Sequence, residues 1–145
     1  MKPLNILLAD DNKDDCFFFK RALDVRNIPH RFETVEDGVQ LIKYLLKNTD
    51  KLPDVLFLDL NMPLKTGFEC LTEIKENALL KDIPVVMFST SFPRDKNYEQ
   101  GMIKMLYKIG AVDFIRKSDD FAEMETLIHA SLQKVMEKKP LIKAA

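Results

Sequence analysis

Four places along the chain carry residues that could do chemistry on an anion: Asp10-Asp11, Asp59, Ser89-Thr90 and Lys117. Each follows a short apolar run, at residues 5–9, 54–58, 84–88 and 112–116. If these runs are strands that end side by side, three carboxylates, two hydroxyls and one ammonium converge. Clustered carboxylates repel, so each resists ionisation without a compensating cation. A few hard oxygen donors suit Mg²⁺, which keeps several waters and bridges to phosphate oxygens. Lys117 adds a second, point-like positive charge. Such a set neutralises an anion such as a phosphoryl group.

Taken singly, these residues have plainer readings. Asp10-Asp11 alone is a turn and helix cap, and Asp59 alone is a strand-end turn. Lys117 alone is a solvated cation, and Ser89 alone merely ends a strand. The functional reading therefore depends on the elements that position them together.

A short apolar run stopped by turn residues reads as a strand buried on both faces. Residues 5–9, 54–59 and 84–88 fit best, with a weaker strand at 31–35 and a last strand at 112–116. Between them lie helical patterns. Residues 13–26 place Cys16, Phe19, Ala22 and Leu23 on one face, with Asn12 as N-cap and Asp14 and Asp15 at the positive end of the dipole. Residues 37–47 and 67–77 follow, then a longer helical or mixed stretch at about 93–109 in which Met102 and Met105 fill apolar gaps. Phe121, Met124, Leu127, Ile128, Leu132 and Val135 form the stripe of a last helix. Asp120 and Glu123 read as its capping box. Alternating strands and helices predict a parallel sheet covered on both faces. Five such units fit a doubly wound α/β fold of flavodoxin-like type, with strand order 2-1-3-4-5. Ligands then bind beyond the carboxyl ends of the strands, where all the residues above fall.

Composition narrows the classes further. The 145 residues suit one domain, expected over 4–139 with a frayed tail at 140–145. Lys plus Arg number 22 against 23 Asp plus Glu, a net charge of −1, so no nucleic-acid partner is expected. No apolar run is long enough to span a bilayer, and residues 1–3 open into a strand with no signal peptide, so a cytoplasmic protein is expected. Cys16 and Cys70 are far apart with no metal-binding spacing, and are read as reduced thiols. No GxxxxGK[ST] loop is present, which argues against a P-loop NTPase. Acidic residues after strand 1 would repel the phosphate of a flavin. Asn61, two residues after Asp59, cannot serve as the proton-transfer group of a haloacid-dehalogenase-type phosphatase.

The pattern resembles the receiver domain of two-component response regulators, the chemotaxis-regulator-like family. The resemblance rests on Asp10-Asp11, on Asp59-Leu60-Asn61-Met62-Pro63 with Gly67, on Ser89 and on Lys117. The Asp59-to-Gly67 stretch and Ile83-Pro84-Val85-Val86 also look like stand-alone regulators associated with phytochrome-type kinases. The resemblance implies a single-domain signalling protein, not a turnover enzyme. Asp59 would accept a phosphoryl group from a histidine kinase or a histidine phosphotransfer protein. Mg²⁺ would sit on Asp11 directly, on Asp10 largely through water, on Asp59 and on the Asn61 backbone carbonyl. Lys117 would pair with Asp59 and then with the phosphoryl oxygens. Ser89 would turn its hydroxyl onto the phosphoryl group, and Phe114 matches an aromatic switch position. No other cofactor is implied. Output would pass to another protein or by onward transfer, from a monomer or weak homodimer. His30 and His129 lie away from the strand ends and are read as structural.

Three departures from the family pattern stand out. Ser118 replaces a common proline after the lysine, and Thr90 replaces a smaller residue after the hydroxyl. The stretch 91–109 is longer than usual and is expected to respond most to phosphorylation.

Overall fold

The structure is a computed structural model that describes residues 3–90 and 96–138. Five βα units follow one another: β1 Leu4–Ala9, α1 Lys13–Asp24, β2 His30–Val35, α2 Gly38–Lys47, β3 Val55–Asp59, α3 Gly67–Glu76, β4 Val85–Ser89, α4 Lys96–Ile109, β5 Asp113–Arg116 and α5 Phe121–Lys138. The strands form one parallel sheet, as expected from the alternation, in the order β2-β1-β3-β4-β5 that the flavodoxin-like class implies.

Alternation along each strand divides the core into two layers. Leu7, Ala9, Leu56, Leu58, Val85 and Met87 point to the face covered by α2, α3 and α4. Ile6, Leu8, Val55, Phe57, Val86 and Phe88 point to the face covered by α1 and α5. Burial on both sides explains why β3 and β4 read as unbroken apolar runs. Phe19 of α1 anchors the second layer. It stacks on Phe32 at 5.5 Å and meets Phe57 and Phe88 edge-on at 4.8 and 5.6 Å, directly under the site.

Boundaries depart from the sequence reading where local backbone chemistry intervenes. Helix α1 stops at Asp24 because Asn27 takes a left-handed φ of 49° and Ile28 precedes Pro29. At the start of α5, Asp120 Oδ1 accepts the Glu123 N–H at 3.2 Å, but the Asp120 N–H donates to Ser118 Oγ at 3.1 Å. Only half of the expected capping box forms, because the serine lies closer in the chain. A complete box occurs instead at α3, between Thr66 and Glu69. Met105 is half exposed rather than gap-filling, and Met102 packs at the edge of the core. The stretch read as helical or mixed at 93–109 is helical over Lys96–Ile109. Residues 93–95, like the tail 140–145, lie outside the described residues. Among the described residues no helix is long and apolar enough to cross a membrane.

Candidate phosphoacceptor site

The ends of β1 and β3 are neighbours in the sheet, so Asp10, Asp11 and Asp59 come together as expected. Each offers a carboxylate oxygen, and the three oxygens lie within 4.8 Å of one another. Asp10 and Asp59 are buried while Asp11 is exposed. Two short turns fix the buried pair: Asp10 Oδ1 accepts the Asn12 N–H at 2.9 Å, and Asp59 Oδ1 accepts the Asn61 N–H at 3.1 Å. Gly67 makes room for the second turn. A Cβ there would come within 2.1 Å of the Asp59 carbonyl oxygen, so the start of α3 can lie against the end of β3 only as glycine.

Lys117 enters from the end of β5, held by its N–H on the Ser89 carbonyl at 2.7 Å. Its ammonium lies 2.8 Å from Asp10 Oδ2, 2.8 Å from Asp15 Oδ2 and 3.5 Å from Asp59 Oδ2. The expected Lys117–Asp59 pair is thus present, but as the longest of three contacts. Asp10, fully buried at its side chain, requires a cation most. Asp15 reaches the same cation from the first turn of α1. The sequence reading placed Asp15 only at the helix dipole, because its approach to Lys117 exists only once α1 and β5 are packed beside one strand.

Electrostatics follow from burial. Loss of solvent pushes the Asp59 carboxyl up to about 7, with the Asp10 charge adding to the rise and Lys117 opposing it. Burial acts against the Lys117 charge, but its hydrogen bonds to Asp10 and Asp15 and the field of Asp59 push its pKa above the ordinary lysine value. The ammonium also lies 5.1 Å over the Phe88 ring.

Ser89 ends β4, fully buried, and its Oγ has no hydrogen-bond partner among the described residues. Thr90 is exposed. Phe114 is half buried on the α4 side of the sheet. The Lys117–Ser118 bond is trans, and the Ser118 N–H donates to Met124 Sδ at 3.1 Å, a bond that proline could not make. His129 is buried with Nε2 on the Ala22 carbonyl at 2.8 Å, and His30 Nδ1 meets the Ile28 carbonyl at 2.7 Å. Both imidazoles contact backbone, with Asp24 3.5 Å from His30 and Glu125 3.9 Å from His129, and neither lies beside Asp10, Asp11 or Asp59. Cys16 and Cys70 are free thiols, the latter fully buried.

The donor set consists of hard carboxylate oxygens with one ammonium beside them, which fits a small divalent ion and an anion bridging it to lysine. The family model described as "Response regulator receiver domain" matches residues 6–129. The chain belongs to the response regulator receiver family. Its relatives include the response regulator Rcp1 of Synechocystis, 37% identical over 97 residues, 64% of this chain and 66% of Rcp1. The chain thus spans just under two thirds of that relative's length. The two-component response regulator ARR17 of Arabidopsis thaliana is 32% identical over 87% of this chain and 83% of its own. Among solved structures, the phosphorylated cyanobacterial phytochrome response regulator RcpA superposes with a TM-score of 0.81 at 31% identity, covering 94% of this chain and 96% of its own. The Mn²⁺-bound form of Rcp1 gives 0.75 at 29% identity, over 88% and 91%. The receiver fold and its place among two-component response regulators are therefore established for this chain. Its likeness to phytochrome-associated regulators agrees with the narrower sequence resemblance.

Proposed function

We propose that this receiver takes a phosphoryl group onto Asp59 from a phosphohistidine of a sensor kinase or a histidine phosphotransfer protein. A carboxylate oxygen of Asp59 forms the new bond to phosphorus. The P–N bond breaks, and the departing imidazole keeps its electron pair and takes a proton from solvent. A divalent cation, Mg²⁺ by its hard-oxygen donor set, would be held by Asp11, Asp10, Asp59 and the Asn61 backbone carbonyl. When bound, it supplies positive charge that keeps Asp59 ionised and screens the incoming phosphoryl oxygens. Lys117 orients and neutralises the transferred group, and Ser89 supplies a hydroxyl to it. Phe114 reports the change to the α4 side of the sheet. Asn61 at the second position after the acceptor gives no acid or base for hydrolysis, which favours a lasting signal over turnover. The folded unit is read as one domain over 4–139, acting in the cytoplasm on a protein partner and not on nucleic acid, as a monomer or weak homodimer.

The observation that carries this reading is the three-carboxylate cluster with Lys117 on one side and, on the neighbouring strand, the buried Ser89 hydroxyl, unpartnered among the described residues. An unpaired buried hydroxyl costs free energy in the unphosphorylated state, and a phosphoryl oxygen on Asp59 would give it a partner. The experiment is intact mass or Phos-tag electrophoresis after acetyl phosphate with Mg²⁺. One phosphoryl adduct is expected on the wild type, with none on Asp59→Asn and none in EDTA. An adduct that persists in either case refutes the assignment.

A further inference from the structure

Lys117 has more anionic partners than phosphoryl transfer needs. Asp10 and Asp15 each approach its ammonium to 2.8 Å, and Asp59 stands off at 3.5 Å. We propose that Asp15 is a positioning residue that holds Lys117 back from Asp59 in the unphosphorylated receiver and releases it to the phosphoryl group. The proposal rests on Asp59 being the acceptor.

The three contacts are unequal in what it costs to break them. The Asp10 side chain is fully buried, so leaving it without a cation would strand a charge in the core. The Asp15 side chain is 31% exposed and can exchange the ammonium for water. A phosphoryl group on Asp59 carries up to about two negative charges, more than any one carboxylate nearby. Lys117 therefore moves toward Asp59, and the partner it gives up is the one that can be rehydrated. Asp15 and Lys117 share the rim of a cavity of about 270 Å³ between α1 and α5, walled by Phe18, Phe88, Phe121 and Met124, which lies on the Asp15 side of the ammonium and is not lined by Asp59.

The simpler role for Asp15 is to favour the positive end of the α1 dipole. Asp14 performs that role equally, in the same turn and exposed, with no ion pair to Lys117. It is the matched control. A dipole role predicts equal effects of the two residues, whereas a hold on Lys117 predicts that only Asp15 alters the affinity for a phosphoryl mimic.

The test compares Asp15→Asn, Asp15→Glu and Asp14→Asn in the full chain. Beryllofluoride with Mg²⁺ is titrated by amide NMR shifts, and the Lys117 ammonium is followed by its own nitrogen shift in the unliganded protein. Asp15→Asn is expected to bind beryllofluoride about fivefold tighter, the upper end for one ion pair with a partly exposed partner. It should also shift the Lys117 nitrogen. Asp15→Glu should restore wild-type affinity, and Asp14→Asn should match the wild type. Beryllofluoride affinity in Asp15→Asn that is unchanged, weaker or equal to that of Asp14→Asn overturns the proposal. The acetyl phosphate experiment separates the two readings. An adduct lost in Asp59→Asn beside an unaltered Asp15→Asn affinity rejects the role of Asp15 alone. An adduct that survives Asp59→Asn rejects the acceptor and the proposal with it.

Discussion

At the residue scale, the site is a balance between buried charge and unused polarity. Asp59 is pushed up to about 7 chiefly by burial, so without added positive charge it would be partly protonated near neutrality. Ser89 is the complementary case, a buried hydroxyl with nothing to bond among the described residues. Removing an unsatisfied group can be neutral or stabilising, whereas removing a bonded one costs about 1 kcal/mol. Ser89→Ala is therefore expected to leave unfolding in urea unchanged or raise it by up to about 1 kcal/mol in the unphosphorylated protein. The same variant should gain less stability from beryllofluoride than the wild type. A loss above about 1 kcal/mol without the mimic would mean the hydroxyl is already satisfied. Asp10, Asp11, Asp59, Ser89 and Lys117 were legible in the sequence because each stands directly after an apolar run. Asp15 was not, since its contact with Lys117 joins positions 102 residues apart and depends on helix packing.

At the element scale, the two helices on either side of β5 are anchored very differently. Helix α5 buries Met124, Ile128, Leu132 and Val135 against the sheet, as its sequence stripe predicted. Helix α4 fully buries Leu106 alone among its apolar residues and leaves Tyr98, Met105 and Tyr107 exposed. Local opening is cheapest where few apolar contacts close. Native-state hydrogen exchange should therefore be faster across Lys96–Ile109 than across α5, and α4 should change most when beryllofluoride binds. Equal protection in the two helices, or no change in α4, would make α4 a passive element. Gly101 adds to the contrast. A Cβ at this helical position would meet nothing within 4 Å, so glycine is not required by space. Gly101→Ala is expected to stabilise the protein by roughly 0.5–1 kcal/mol and to slow exchange in α4. Unchanged exchange would show that opening is set outside the helix. The strands and the type of every helix but α4 followed from apolar periodicity; the 93–109 stretch read only as helical or mixed, because few of its apolar residues face the core. Caps were harder to read, because the choice between Glu123 and Ser118 as partner for the Asp120 N–H is made by short-range geometry that spacing alone does not fix.

At the scale of the whole molecule, parallel strands deliver every loop that carries chemistry to one edge, and negative charge accumulates there although the chain is nearly neutral overall. The fold carries this repulsion in its unphosphorylated state, with Lys117 as the cation in contact with Asp10, Asp15 and Asp59. A divalent ion that binds only the folded chain should then stabilise it by mass action. At one hundred times its dissociation constant the gain is about 2.7 kcal/mol. For a chain near this size, that corresponds to a rise in Tm of roughly 5–10 °C. Asp11 and Asp10 should separate the metal effect from the packing effect. Asp11 is exposed, so Asp11→Ala is expected to keep the metal-free Tm close to wild type and to lose most of the rise with Mg²⁺. Asp10 is buried and bonded to both Lys117 and the Asn12 N–H, so Asp10→Ala should cost about 3 kcal/mol even without metal. Differential scanning calorimetry with Mg²⁺, with EDTA, and with NaCl at matched ionic strength distinguishes the cases. A rise reproduced by NaCl would reduce the effect to general screening. A rise retained in Asp11→Ala would place the ion elsewhere and remove Asp11 from the site.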